Sequence, residues 1–207
     1  MTSLADSEEY LEQYRNAVRS SPTCGMTRYN YAVALLAQKR FDEAEHELHE
    51  AISCSPTLSE AYVLLGGLCM RRNDLDGCLM YNERAVKARE GFAEGYGNIG
   101  FVYLQKGEID KAIEALEKAT SLNPNFIQAY ANLANAYLMK GMVDKSIEAN
   151  MKVLEIEPGF AIAHNNLTIA YLEKGETELA AKHCKKAEQL GYEVAPEIKR
   201  EIVSHDK

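Results

Sequence analysis

The sequence predicts an all-α protein built as a solenoid of five tandem helical hairpins, and three observations carry that prediction. Pro56, Pro124 and Pro158, with Glu90 in the same register, lie 34 residues apart, each followed two residues later by Leu58, Phe126, Phe160 or Phe92. Small residues recur at fixed places inside each 34-residue block. Between them, large apolar residues follow the three-to-four spacing of an amphipathic helix, as in Tyr96, Ile99 and Tyr103 and then Ile113 and Leu116.

Taken in chain order, residues 1–24 form an incomplete unit closed by Pro22, in which 5–20 read as one helix with Tyr10, Leu11, Tyr14, Ala17 and Val18 on a single face. The five blocks then run 25–58, 59–92, 93–126, 127–160 and 161–194 with no insertion or deletion. Ala32, Gly66, Gly100, Ala134 and Thr168 hold the eighth place. Ala44, Cys78, Ala112, Ser146 and Ala180 hold the twentieth, and Ala51, Ala85, Ala119, Val153 and Ala187 the twenty-seventh. Small side chains there let helices approach closely. Gly107, Gly141 and Gly175 suit the left-handed end of a first helix, and Asp76, Asp110, Asp144 and Glu178 offer an acceptor and negative charge at the start of a second. Proline closes the second helix. Residues 195–207 open on Pro196 and carry Ile198, Ile202 and Val203, the pattern of a C-terminal capping helix. A solenoid needs such caps because a terminal repeat cannot bury its outer face alone.

Composition narrows the function. Of 207 residues, 46% are hydrophobic and 26% charged, which supports a packed core. The net charge is −8, and each segment between the boundaries above carries between −2 and 0, so no segment has the clustered Lys and Arg that phosphate neutralisation requires and nucleic acid is not an expected partner. The first residues lack a basic start and an apolar core, and no run of apolar residues reaches the ~18 of a membrane span, so a soluble cytoplasmic protein is expected. Five cysteines, Cys24, Cys54, Cys69, Cys78 and Cys184, include no CxxC pair and read as reduced thiols.

The blocks resemble the tetratricopeptide repeat, most fully in AYANLANAYLMKGMVDKSIEANMKVLEIEPGF at 129–160. Arg28 and His164 stand where that family has an aromatic, and Asn82 and Asn150 where it is usually apolar. The resemblance implies a right-handed superhelix whose concave side is lined by the first helices, at the second, fifth, sixth, ninth, twelfth and thirteenth places of each block. Carried over, these places include Asn30, Leu64, Gly67, Met70, Arg71, Gly97, Asn98, Phe101, Gln105, Asn132, Asn135 and Asn166 as the peptide-binding groove. The Lys, Arg and Asn clamp with which some members hold a C-terminal carboxylate is missing, since Tyr29, Glu60, Val63, Glu94 and Gly97 occupy its places. Asn30, Asn98, Asn132 and Asn166 are similar to the asparagine ladder with which others bind a peptide backbone, an amide supplying both donor and acceptor.

Other constellations have plainer readings. Gly95-Tyr-Gly97-Asn-Ile-Gly100 spells G-x-G-x-x-G inside a helical stretch rather than between a strand and a helix, so it does not read as a dinucleotide fingerprint. Gly95 and Gly97 remain costly in a helix interior, at ~1 kcal/mol each. Gly67 and Gly97 together suggest a hollow in the groove bordered by Leu64, Met70, Asn98 and Phe101, with Arg71 at the rim. His46 and His49 read as a solvated face rather than a metal site, even with Cys54 and His183 as imaginable ligands, and Lys182 to Lys186 as solvated helix surface. No nucleophile, metal or cofactor motif is found, and the repeats and caps leave no length for a catalytic domain. The expected function is a non-catalytic scaffold or adaptor that binds an apolar or amphipathic peptide segment in the groove. The alternatives are a homo-oligomer whose groove is filled by a neighbouring copy and, more remotely, an accessory part of an enzyme such as a glycosyltransferase.

Overall fold

A computed structural model describes residues 4–205, with side chains described from 8 to 204. The described residues form twelve α-helices and no strand. They are α1 (Leu4–Ser20), α2 (Gly25–Ala37), α3 (Phe41–Cys54), α4 (Ser59–Arg71), α5 (Leu75–Ala88), α6 (Ala93–Gln105), α7 (Ile109–Leu122), α8 (Ile127–Met139), α9 (Val143–Ile156), α10 (Ala161–Glu173), α11 (Thr177–Gln189) and α12 (Pro196–His205). The fold is an all-α array of helical hairpins. The chain divides into two compact units, Met1–Val102 and Tyr103–Lys207, with the boundary inside α6.

The same turn chemistry closes every first helix. The residue after the cap adopts a left-handed conformation at Lys39 (φ 61°), Asn73 (59°), Gly107 (73°), Gly141 (75°) and Gly175 (73°). Around Gly141 its own N–H reaches Leu138 O (2.9 Å) and the next N–H reaches Tyr137 O (2.8 Å), the paired bonds of a Schellman motif. Lys39 and Asn73 make the same two bonds without being glycine. Second helices end on an extended residue ahead of the proline: Ser55 (φ −138°), Asn123 (−131°) and Glu157 (−134°). Proline forbids the helical conformation to the residue before it, so the stop is steric.

The acidic residues at the second-helix starts supply charge rather than the cap acceptor. Asp76, Asp110, Asp144 and Glu178 sit at the second helical residue. Among these second helices only α5 has a side-chain cap, from Asp74 Oδ1 to the Gly77 N–H (2.9 Å). Asp110 and Asp144 instead pair with Lys140 and Lys174 of the following block.

The small places are the seams of the packing. Ala32, Ala44, Ala51, Ala85, Ala112, Ala119, Ala134, Ala180 and Ala187 are fully buried. In the first unit they surround Leu11, Leu35, Leu48 and Leu65, and a further cluster joins Cys69, Cys78 and Val102. In the second unit, one cluster joins Ala131, Val153 and Ala163 and another joins Cys184, Val194 and Ile202. Each buried aliphatic side chain contributes ~1.5–3 kcal/mol. Both ends are covered: α1 docks Leu11, Tyr14 and Val18 on the first unit, and α12 docks Ile198 and Ile202 on the second. Three expected cap contacts fail, two on α1 and one on α12: Tyr10 (44% exposed), Ala17 and Val203 (63%) face solvent, because a lone helix against one neighbour buries a narrow stripe.

Candidate functional site

Each first helix is 13 residues long and buries its seventh, eighth and tenth places, which leaves the second, sixth, ninth and thirteenth on a stripe where no residue is buried. In the first unit this stripe carries Met26, Asn30, Val33 and Ala37 on α2, all exposed, and Glu60, Leu64, Gly67 and Arg71 on α4, of which Gly67 and Arg71 are exposed. Asn98 and Phe101 follow on α6, both half-buried, and Met70 is half-buried beside Arg71. In the second unit Gln105 is exposed. The same places there carry Gln128, Asn132, Asn135 and Met139 on α8, and Ile162, Asn166, Ile169 and Glu173 on α10. Of the fifth-place residues, Gly97, Ala131 and Asn165 are buried and Tyr29 and Val63 half-buried.

The two glycines therefore do different things. A methyl group at Gly67 would meet nothing within 4 Å, so the helix surface is open there. Gly97 is buried, at a fifth place beside the exposed stripe. Gly95 is a packing glycine, since a methyl group on it would stand 2.6 Å from Val86 Cγ1. Arg71 does not stand free at a rim: its guanidinium lies over the Phe41 ring, 3.4 Å from the centroid.

The ladder asparagines are held in a way the sequence did not reveal. Asn82, 1% exposed, donates to Cys78 O (2.8 Å) and accepts from Asn98 Nδ2 (3.0 Å). Asn150, fully buried, donates to Ser146 O (3.0 Å) and accepts from Asn166 Nδ2 (3.4 Å). A buried amide one helix back thus engages the ladder amide's N–H and leaves its oxygen to accept from outside. The signal was present in the two asparagines at apolar places, 68 residues apart. Asn132 differs, accepting from Gln128 Nε2 (3.4 Å), and the buried Asn165 Oδ1 has no partner among the described residues.

Polar substitutions also change one helix–helix contact. The fourth place meets the twenty-third: Arg28 Nη1 bonds Glu47 Oε2 (2.8 Å) in the first block, and His164 Nδ1 lies 2.9 Å from His183 Nδ1 in the fifth. His164 is 8% exposed and packs in place of an aromatic, while Tyr171 stacks on His183 at 5.5 Å. Burial pushes His164 below the ordinary histidine range; burial together with the neighbouring His164 pushes His183 down to about 4. Burial also pushes the Cys78 thiol up to about 11, which keeps it protonated and a weak nucleophile at neutral pH. His46 and His49 are exposed on α3, and among the described residues no three His, Cys, Asp or Glu side chains are placed to hold a metal. No described helix is long and apolar enough to cross a membrane.

Comparison with known proteins agrees with this geometry. Two sequence models described as tetratricopeptide repeat match residues 6–58 and 127–160, and one described as TPR repeat matches 100–141, together more than half of the chain. No curated protein sequence matches it. Among solved structures, YrrB, described as a TPR protein with an unusual peptide-binding site, has 21% identity and a TM-score of 0.71, over 87% of this chain and 93% of its own. MamA has 29% identity and a TM-score of 0.69, over 77% of this chain and 94% of its own. PilF of Pseudomonas aeruginosa has 15% identity and a TM-score of 0.79, over 90% and 85%. With its 34-residue period, paired helices and Schellman turns, the chain belongs to the tetratricopeptide-repeat family, a fold of protein–protein interaction scaffolds.

Proposed function

We propose that this chain is a non-catalytic scaffold or adaptor that binds an apolar or amphipathic segment of a partner protein on the exposed stripe of its first helices. Its working units are the blocks 25–58, 59–92, 93–126, 127–160 and 161–194. One observation carries the reading: on the stripe, large apolar side chains are left in solvent beside amides, with Met26 50%, Val33 42%, Met139 57% and Ile162 45% exposed. Apolar surface next to polar groups that fix orientation is what a bound peptide needs. Asn98 and Asn166 add acceptors for its backbone N–H groups, and Gly67 leaves room for a side chain on α4. The fold likeness to YrrB, whose description includes a peptide-binding site, is consistent with this use.

The test is selection from a phage-displayed peptide library, followed by calorimetry of the selected peptides. Val33→Asp and Met139→Asp are expected to weaken binding at least tenfold, Asn98→Ala by ~0.5–1.5 kcal/mol, and Met151→Asp, exposed on α9 off the stripe, not at all. Equal binding by all variants would refute the assignment. Light scattering runs alongside, because an oligomer dissociated by Val33→Asp would make a second copy of this chain the occupant.

A further inference from the structure

A cavity of about 350 Å3 opens beside α11, lined by His164, Lys182, His183, Lys185, Lys186 and Gln189. No carboxylate lines it, in a chain with a net charge of −8. Most lysines elsewhere in the second unit are paired: Lys111 with Glu108, Lys140 with Asp110, Lys152 with Glu155, Lys174 with Asp144 and Lys199 with Glu188. Lys182, Lys185 and Lys186 form no ion pair among the described residues. The basic lining is not a property of the repeat itself, since the cavity of about 290 Å3 on the first block is lined by Asp42, Glu43 and Glu47.

The histidine pair adds a directional donor. His164 Nε2 faces Pro158 O at 3.4 Å, which assigns the proton to that nitrogen and makes His164 Nδ1 the acceptor of the His183 Nδ1–H. His183 Nε2 is left without a hydrogen bond among the described residues. We propose that this cavity is a binding site for a tetrahedral oxyanion, the phosphoryl group of free phosphate, diphosphate or a small phosphate ester, held by Lys182, Lys185, Lys186 and protonated His183. On binding, His183 takes one proton from solvent at Nε2 and presents it to the anion, keeping its Nδ1–H on His164.

The charged and titratable groups around His183 are accounted for element by element. From α10 it meets neutral His164 and the Tyr171 ring; on α11 it has the three lysines; from α12, Lys199 is already paired with Glu188. Burial, the neighbouring His164 and Lys182 all disfavour the imidazolium in the free protein, and an anion reverses the last of these. Binding and protonation are therefore coupled, and affinity rises as the pH falls.

The experiment follows the His183 ring protons by NMR through a pH titration at constant ionic strength. Sulfate serves first, because its charge does not change over the range. Replacing chloride by sulfate is expected to raise the His183 midpoint by at least one pH unit, a linkage of roughly tenfold in affinity. The double variant Lys182→Gln, Lys186→Gln should lose that response, while Lys118→Gln on α7 keeps it. Calorimetry with inorganic phosphate and with pyrophosphate then distinguishes single from linked phosphoryl groups, either supporting the site. An equal midpoint in chloride and sulfate, or an unchanged response in the double variant, would overturn the proposal. So would cosedimentation with phosphatidylserine vesicles without any response to sulfate or phosphate, which would assign the patch to a membrane surface.

Discussion

Lys39 is the residue at which local geometry and side chain disagree most clearly. It holds φ 61° at a turn where three later blocks use glycine, and a left-handed conformation costs a non-glycine residue about 1–2 kcal/mol. Lys39→Gly removes that strain at some expense in unfolded-chain entropy, so the unfolding free energy should rise by about 0.5–1 kcal/mol, read from the denaturant midpoint. Asn73 in the same position should respond less, because asparagine tolerates this region. Ser146 is a second misfit. Its Oγ is buried with no partner among the described residues, at the twentieth place, which three other blocks fill with alanine. Ser146→Ala should therefore stabilise the protein by about 1 kcal/mol, and a destabilised variant would show that the hydroxyl has a partner in solution. At this scale, the seams were legible because a small residue repeated at one place has few explanations. The bracing of Asn98 by Asn82 was not, since it depends on which face of one helix meets the next.

Between paired helices, the contact of the fourth and twenty-third places decides how the first and fifth blocks respond to their surroundings. Arg28 and Glu47 are 16% and 14% exposed, so that pair is screened less than the surface ion pairs, which contribute little. The histidine pair gives a pH dependence whose sign follows from its direction. His183 is held near 4 in the folded state against an ordinary 6.5, so between those values the unfolded chain binds the additional proton. The contribution is fully present above about pH 6.5 and is lost as the pH falls toward 4. Thermal melts should show roughly 2 kcal/mol less stability at pH 4 than at pH 7 from this group, a difference that His183→Gln abolishes. A parallel profile in the variant would place the acid sensitivity in the carboxylates instead. The sequence marked His164 as a packed substitute for an aromatic, which holds, but His183 lies 19 residues away and only the hairpin brings the rings together.

For the whole molecule, the ends matter because each hairpin buries its face only on its neighbours. Removing residues 196–207 takes away Ile198 and Ile202 and uncovers Val194 and Cys184, and should lower the melting temperature by several degrees for a loss of about 2 kcal/mol. An unchanged melt would show that α12 contributes nothing to the second unit. The helical class, the period, the seams and the turn positions were determined by the sequence alone, because a gapless 34-residue recurrence imposes the same local energetics five times over. Tertiary structure decided the rest. It separated Gly67, open on the stripe, from Gly97, buried beside it; it turned Arg71 onto Phe41; and it gathered Lys182, Lys185 and Lys186 around a histidine pair that reads in sequence only as a solvated run. The physical reason is that periodicity specifies which face of a helix is apolar. What a side chain on that face meets depends on the rotation and approach of a helix elsewhere in the chain.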